Sequence, residues 1–287
     1  MIKVGLFGIG LDTYWPQFEG LLERLEGYQN QIANKMETFG AEVVNVGLID
    51  SPMKAREAAE FLKKEDVGII FLYVSTYALS STVLPVVQKL KCPIVILNIQ
   101  PVAAIDYEKF NKMGDRGLMT GEWLAHCQAC SVPEIANVFN RSGLDYEFVT
   151  GYLGEQSVWD EIQDWIEAAN VADVMHNNRL GVLGHYYCGM LDVYSDLTKQ
   201  AAAFGTHIEI VEMCELKKHR DEATHAEIKA KMEELQNTFE VVDECEEQEL
   251  FRAVLTSIAL DKLVQNHNLG SLAIITKENR GMNMKIL

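Results

Sequence analysis

The run from Gly184 to Asp196, GHYYCGMLDVYSD, gathers more chemistry than any other stretch of this chain. It follows a strand-like segment, RLGVLGH, and leads into a helix-like one, so it falls at a strand end. In open α/β sheets, ligands collect beyond the carboxyl ends of the strands. His185, Tyr186 and Tyr187 combine hydrogen-bonding groups with aromatic bodies. Gly189 lets a backbone approach closely, and Met190 can pack on the apolar face of a sugar. The competing expectation for the same residues is a set of aromatics packed between two domains.

Two further motifs carry candidate chemistry. GLFGIGLDTY places Gly5, Gly8 and Gly10 after the first strand, where a glycine-rich turn can cradle a phosphate at a helix N-terminus. The spacing is G-x-x-G-x-G and not the dinucleotide fingerprint, and the acidic residue that fingerprint expects about 20 positions on has no clear counterpart at the end of the second strand. A tight turn explains the glycines equally well, but Tyr14 is placed to meet a ligand. HCQAC, His126 to Cys130, is half of a zinc site with no second C-x-x-C to complete it. A thioredoxin-type redox pair would open the first helix after a strand, whereas this motif lies inside a helical stretch. Partly buried structural cysteines, with Gln128 as a polar contact for a ligand, are the remaining reading. No G-x-S-x-G, no phosphate-binding G-x-x-x-x-G-K-[ST] loop and no H-E-x-x-H occurs. Read alone, the residues name no reaction.

The elements that position these groups alternate between strand and helix. Apolar runs IKVGLFGIG, AEVVNVGLI, VGIIFLYV and CPIVILNI read as strands, the last two apolar on both faces as parallel strands covered by helices are. Helices are expected over Pro16–Met36, from Ser51–Pro52 to Lys64, over Thr82–Lys91, over Gly117–Arg141 and over Ser157–Val174. A second set follows: strand RLGVLGH, helix Leu191–Phe204, strand HIEIVEM, helices Lys217–Glu240 and Gln248–His267, and strand GSLAIIT. This order predicts an α/β protein of two doubly wound, Rossmann-like or flavodoxin-like parallel-sheet domains, residues 1–175 and 176–287.

Composition narrows the partners. The 287 residues are 48% hydrophobic, enough for a sizeable core, and carry a net charge of −17. That charge argues against nucleic acid and for a neutral or metal-assisted ligand. No run approaches the length of a membrane span. The chain opens on a strand-like segment with no leader pattern, and its six cysteines are scattered, so a reduced, cytoplasmic protein is expected.

With its context, GHYYCGMLDVYSDLT resembles the middle domain of the L-arabinose isomerase and L-fucose isomerase superfamily. GIGLDTYW is similar to that family's first-strand turn, FVTGYLG to the strand closing its first domain, and LTSIALDKLVQNHNLGSLA to the helix and strand before its third. The resemblance implies aldose–ketose isomerisation in carbohydrate metabolism. A divalent metal, usually manganese, holds two substrate oxygens while a carboxylate moves a proton between C1 and C2. It also implies a homo-oligomer, a trimer or hexamer, with Tyr14 and Gln128 reaching a neighbouring subunit's site. Met190 falls where the family has a substrate-contacting Met, with Asp196 in matching phase. His185 is added from its position alone. The resemblance places no catalytic or metal-binding residue in this chain, so no manganese is expected to bind it and it is expected to be inactive alone. The alternative is a non-catalytic, two-lobed sugar-binding module; a nucleotide-binding regulator is disfavoured by the glycine spacing.

The family continues after SLA with a Tyr-Tyr-Tyr-Lys-Gly stretch, where this chain has IITKENRGMNMKIL. A coding for that segment, read one base out of step, yields Tyr-Tyr-Tyr-Lys-Gly. Ile274–Leu287 is therefore expected to be a frameshifted tail on a truncated chain.

Overall fold

The computed structural model of the chain describes residues 2–186 and 189–275. Tyr187 and most of the segment read above as a frameshifted tail lie outside the described residues. The chain divides into two compact units between Asp173 and Val174. The structure is mixed α/β, with a five-stranded and a three-stranded parallel sheet flanked by helices. No described helix is long and apolar enough to cross a membrane.

In the first unit, β1 (Lys3–Ile9) leads through α1 (Leu21–Glu37) to β2 (Glu42–Ile49), and α2 (Pro52–Glu65) leads to β3 (Ile69–Tyr73). A short α3 (Leu84–Val87) precedes β4 (Ile94–Gln100). Then α4 (Tyr107–Asn111), α5 (Arg116–Leu124) and α6 (Val132–Ser142) come before β5 (Glu147–Tyr152), and α7 (Gln156–His176) closes the set. The sheet order is β2-β1-β3-β4-β5, all parallel. The apolar runs of β1, β3 and β4 form central strands because both faces are covered, as the fully buried β3 shows, whereas AEVVNVGLI becomes the partly exposed edge strand β2. Val4, Leu6, Phe71 and Leu97 pack with Ile32 and Met36 of α1 and with Trp159 and Ile162 of α7. Ile9, Ile70, Leu72 and Ile96 pack with Ala58 and Leu62 of α2 and with Phe139 of α6. Strand order reverses between β1 and β3, so the crevice of this sheet opens beyond those two strand ends.

The second unit contains β6 (Arg179–Gly184), α8 (Leu197–Phe204), β7 (His207–Val211), α9 (Met213–Asp221), α10 (His225–Thr238), α11 (Glu247–Asn266) and β8 (Ser271–Ile275). Its order is β7-β6-β8, again parallel. Leu183 and Val211 pack on Leu216 of α9 and on Ala259 and Leu263 of α11. Gly181 is required by close approach, since a Cβ there would run into the side chain of Leu269.

Several helices are shorter than their periodicity suggests, each for a local reason. The helix expected from Pro16 starts at Leu21, because Gly20 takes a left-handed φ of 77° and residues 12–18 fold into tight turns. The helix expected over Gly117–Arg141 breaks after Leu124 and resumes at Val132. The gap holds the buried Gln128, and Pro133 opens the new helix, where a missing N–H costs nothing. Leu191–Phe204 divides into a short 3₁₀ turn and α8, with Asp196 as the N-cap. Lys217–Glu240 divides at Thr224, whose capping box starts α10 afresh.

Candidate functional site

Each unit presents one candidate site at the carboxyl end of its sheet. In the first unit, the end of β1 is tied to the segment after β3 by one side chain. Ser75 Oγ accepts from the Ile9 N–H at 3.2 Å and donates to the Ile9 carbonyl. Trp15 Nε1 donates to Asp50 Oδ2 at 2.9 Å, pinning the following turn to the end of β2, and Lys54 Nζ donates to the same oxygen at 2.8 Å. Burial is the largest single influence and pushes the Asp50 carboxyl up, but the bonds from Lys54 and Trp15, with the Lys54 charge, together outweigh it and hold it below its ordinary range. Gly10 is glycine because the Trp15 ring lies over it, 2.7 Å from where a Cβ would sit. Gly8 likewise makes room for Gln29 and Leu48. The spacing of the first-turn glycines therefore follows side-chain packing, and no phosphate cradle is needed to explain it.

Tyr14 stands on this anchored turn, half-buried, edge-on to Trp15 and Phe18 at 6.3 and 6.0 Å between ring centroids. Burial pushes its hydroxyl above the ordinary range, and the neighbouring Tyr77 and Cys127 add to that. Tyr77 itself is exposed. Two phenols thus stand near the ends of β1 and β3, close enough to influence each other electrostatically. Tyr77 was not singled out from the sequence, although the strand-end rule that selects Tyr14 also selects the residues just after β3.

Gln128 reaches the same strand ends from behind. It is fully buried, and its Nε2 donates to the carbonyls of Ser75 and Ala125 at 2.9 and 2.8 Å. With the Gln100 amide nitrogen facing Gln128, Gln100 donates to Gln128 Oε1 at 2.8 Å and to the His126 carbonyl at 3.1 Å. Both ends of the Gln128 amide are therefore engaged inside the protein. The expectation that it contacts a ligand gives way to a positioning role for the loops that carry Tyr77 and Cys127. His126 is engaged too: its Nε2 lies 3.1 Å from Glu122 Oε1 and 3.3 Å from Arg24 Nη2. Arg24 grips Glu122 with two bonds, which hold that carboxyl down against the upward push of burial.

In the second unit, the loop after β6 folds around two tyrosines. The Tyr186 hydroxyl donates to the Ser195 carbonyl at 3.0 Å, and the Gly189 N–H donates to the Tyr194 hydroxyl at 3.1 Å. The two rings lie 5.6 Å apart at 49°. Together with Gly184, His185, Ser195 and Ile210 they line a cleft of about 490 Å³. His185 and Met190 are both exposed on this loop, His185 in the cleft wall and Met190 at the start of the short turn. Gly189 has a φ of 92°, a conformation suited to glycine, so its role in shaping the loop is conformational. Asp196 is occupied as the cap of α8, accepting from Lys199 N at 3.1 Å. Tyr194 and Ser195 stand in the run already marked as unusual, but their place in the cleft wall depends on the fold of the loop.

Tyr14 and Gln128 thus share one strand-end region, and His185 and Met190 share another. Among the described residues, no group of three or more His, Cys, Asp or Glu side chains could hold a metal ion. No protein-family model matches the chain, and no curated protein matches it.

Proposed function

We propose that the two units form the sugar-holding part of an aldose–ketose isomerase of the L-arabinose and L-fucose type. The cleft after β6 is the observation that carries this reading. A pentose or hexose presents a C–H face beside a ring of hydroxyls, so it suits tilted aromatic rings set among polar groups. Tyr186 and Tyr194 supply such rings, and the Tyr194 hydroxyl, already accepting from Gly189, can donate its proton to a ligand oxygen. His185 adds a nitrogen at the rim. The described residues do not fit the manganese that the resemblance implies. The contribution read for this chain is therefore binding and orientation of the sugar.

Calorimetric titration of the chain with L-arabinose and L-fucose, without metal, tests this. One of them is expected to bind, and Tyr186→Ala to weaken that binding at least tenfold. Saturating sugar, at about 100 times Kd, should add about 2.7 kcal/mol of stability. Absence of binding by either sugar would overturn the proposal. A coupled ketose assay with manganese is expected to show no turnover by this chain alone. The same cleft would also serve a second reading, a binding module with no catalytic partner. Gel filtration with light scattering separates the two, since an isomerase of this type assembles as a trimer or hexamer and a binding module is monomeric.

A further inference from the structure

Cys127 and Cys130 take no part in the reading above, yet their geometry is specific. The two residues flank Gln128 and Ala129 in the turn between α5 and α6, with Cys130 in a short 3₁₀ turn. Their sulfurs lie 2.6 Å apart. Cys127 is buried and Cys130 is exposed. The backbone between them is held in place, because the Gln128 amide grips the carbonyls of Ser75 and Ala125 and the Cys127 N–H donates to the Leu124 carbonyl at 3.2 Å. Burial pushes the Cys127 thiol well up, and its contact with Cys130 adds to that. The other described cysteines differ. Cys92 is half-buried with its thiol pushed up to about 11 by burial, and Cys214 and Cys245 are exposed. Among the described residues, no other two cysteine sulfurs are in contact.

We propose that Cys127 and Cys130 form a reversible dithiol–disulfide site, oxidised by exchange with a low-molecular-weight disulfide of the glutathione class. The exposed Cys130 is the point of entry. Its thiolate attacks one sulfur of the small disulfide, whose S–S bond breaks and releases one thiolate. Cys127 then gives up its proton, and its sulfur attacks Cys130 Sγ. The mixed disulfide breaks, the second small thiolate leaves, and the Cys127–Cys130 bond forms. The protein loses two electrons and two protons, and the small disulfide becomes two thiols. Rigid support from Gln128 keeps the resolving sulfur beside the mixed disulfide, so the bridge wins over persistent glutathionylation. The bridge would staple the end of α5 to the start of α6 beside Tyr14 and Tyr77.

Equilibrating the full chain in glutathione buffers of increasing oxidised fraction, then trapping thiols with N-ethylmaleimide in denaturant, tests this. Fully reduced protein takes six maleimides, one for each cysteine. Oxidised protein is expected to take two fewer, and peptide mapping to join Cys127 to Cys130. Cys127→Ser is expected to retain one glutathione on Cys130. Cys130→Ser, at an exposed position that leaves the core untouched, is expected to lose the bridge and keep every remaining thiol titratable. Six maleimides at every buffer ratio would overturn the proposal. So would glutathione persisting on Cys130 of the unmodified sequence, or a bridge mapping to any other pair.

Discussion

Replacing Gln128 with Leu tests whether this amide positions loops or touches ligand. Leu has a similar volume and fills the site, so cavity formation contributes little. What changes is hydrogen bonding: the Ser75 and Ala125 carbonyls lose donors at 2.9 and 2.8 Å, and Gln100 loses its acceptor. A buried polar group left without its partner costs about 1–3 kcal/mol. Leu recovers part of this through its apolar surface, so a net loss of about 2–4 kcal/mol is expected. At a urea dependence of about 2 kcal/mol per molar, that moves the midpoint down by about 1–2 M. The assay is selective, because all four tryptophans (Trp15, Trp123, Trp159 and Trp165) belong to the first unit. Tryptophan fluorescence therefore follows that unit alone. Sugar affinity is expected to be unchanged in the folded variant. A stability within about 0.5 kcal/mol of the parent, a midpoint shift under about 0.25 M, would refute the positioning argument. Lost sugar binding with stability intact would return Gln128 to the ligand.

Two further expectations concern the second unit. Thr224 Oγ accepts from Glu227 N at 3.3 Å, and the Glu227 carboxylate accepts from Thr224 N at 2.7 Å while pairing with Lys262. Lys262 and those Thr224 bonds hold Glu227 at about 2, and Thr224→Ala should cost the start of α10 about 1 kcal/mol, read as faster amide exchange there with the tryptophan transition unmoved. The His267 imidazole bonds Glu215 at 2.8 Å and lies 3.6 Å from Glu209, so its pKa is raised above the ordinary value of about 6.5 by Glu215 first, against some desolvation, with Glu209 adding. A raised folded-state pKa means the stabilisation is full below the unfolded value and lost as pH rises through the folded one. Urea unfolding of the second unit, followed by circular dichroism, should therefore weaken from pH 6 upward, and His267→Gln should flatten that slope; an unchanged slope would reject the assignment.

The strands were legible because burial on both faces writes itself into composition. Ile69–Tyr73 and Ile94–Leu97 have no exposed side chain to interrupt the apolar run. Helix lengths were less legible, because the breaks depend on tertiary partners. Nothing in the periodicity of Gly117–Arg141 announces that Gln128 will turn inward and take the Ala125 carbonyl. Thr224 with Glu227 did carry a local signal, the capping-box spacing, which the surrounding helical pattern concealed. At the strand ends, topology alone places Tyr14 and His185 near the candidate sites and Met190 on the loop beside the second. Tyr77 and Tyr194 were harder, because their nearness to the candidate sites depends on how their own loops fold.

The two sheets also differ in when they can be completed. In the first unit, β1, β2 and β3 come from the first 73 residues, so the centre of that sheet can pair early as the chain emerges. In the second, β6 is the middle strand, and one of its two partners, β8, begins only at Ser271. Gly181 must wait for Leu272 across a long loop whose closure costs entropy before any contact repays it. Until β8 arrives, one edge of β6 has open hydrogen-bonding groups beside apolar side chains. During synthesis, that edge is open to pairing with the wrong strand.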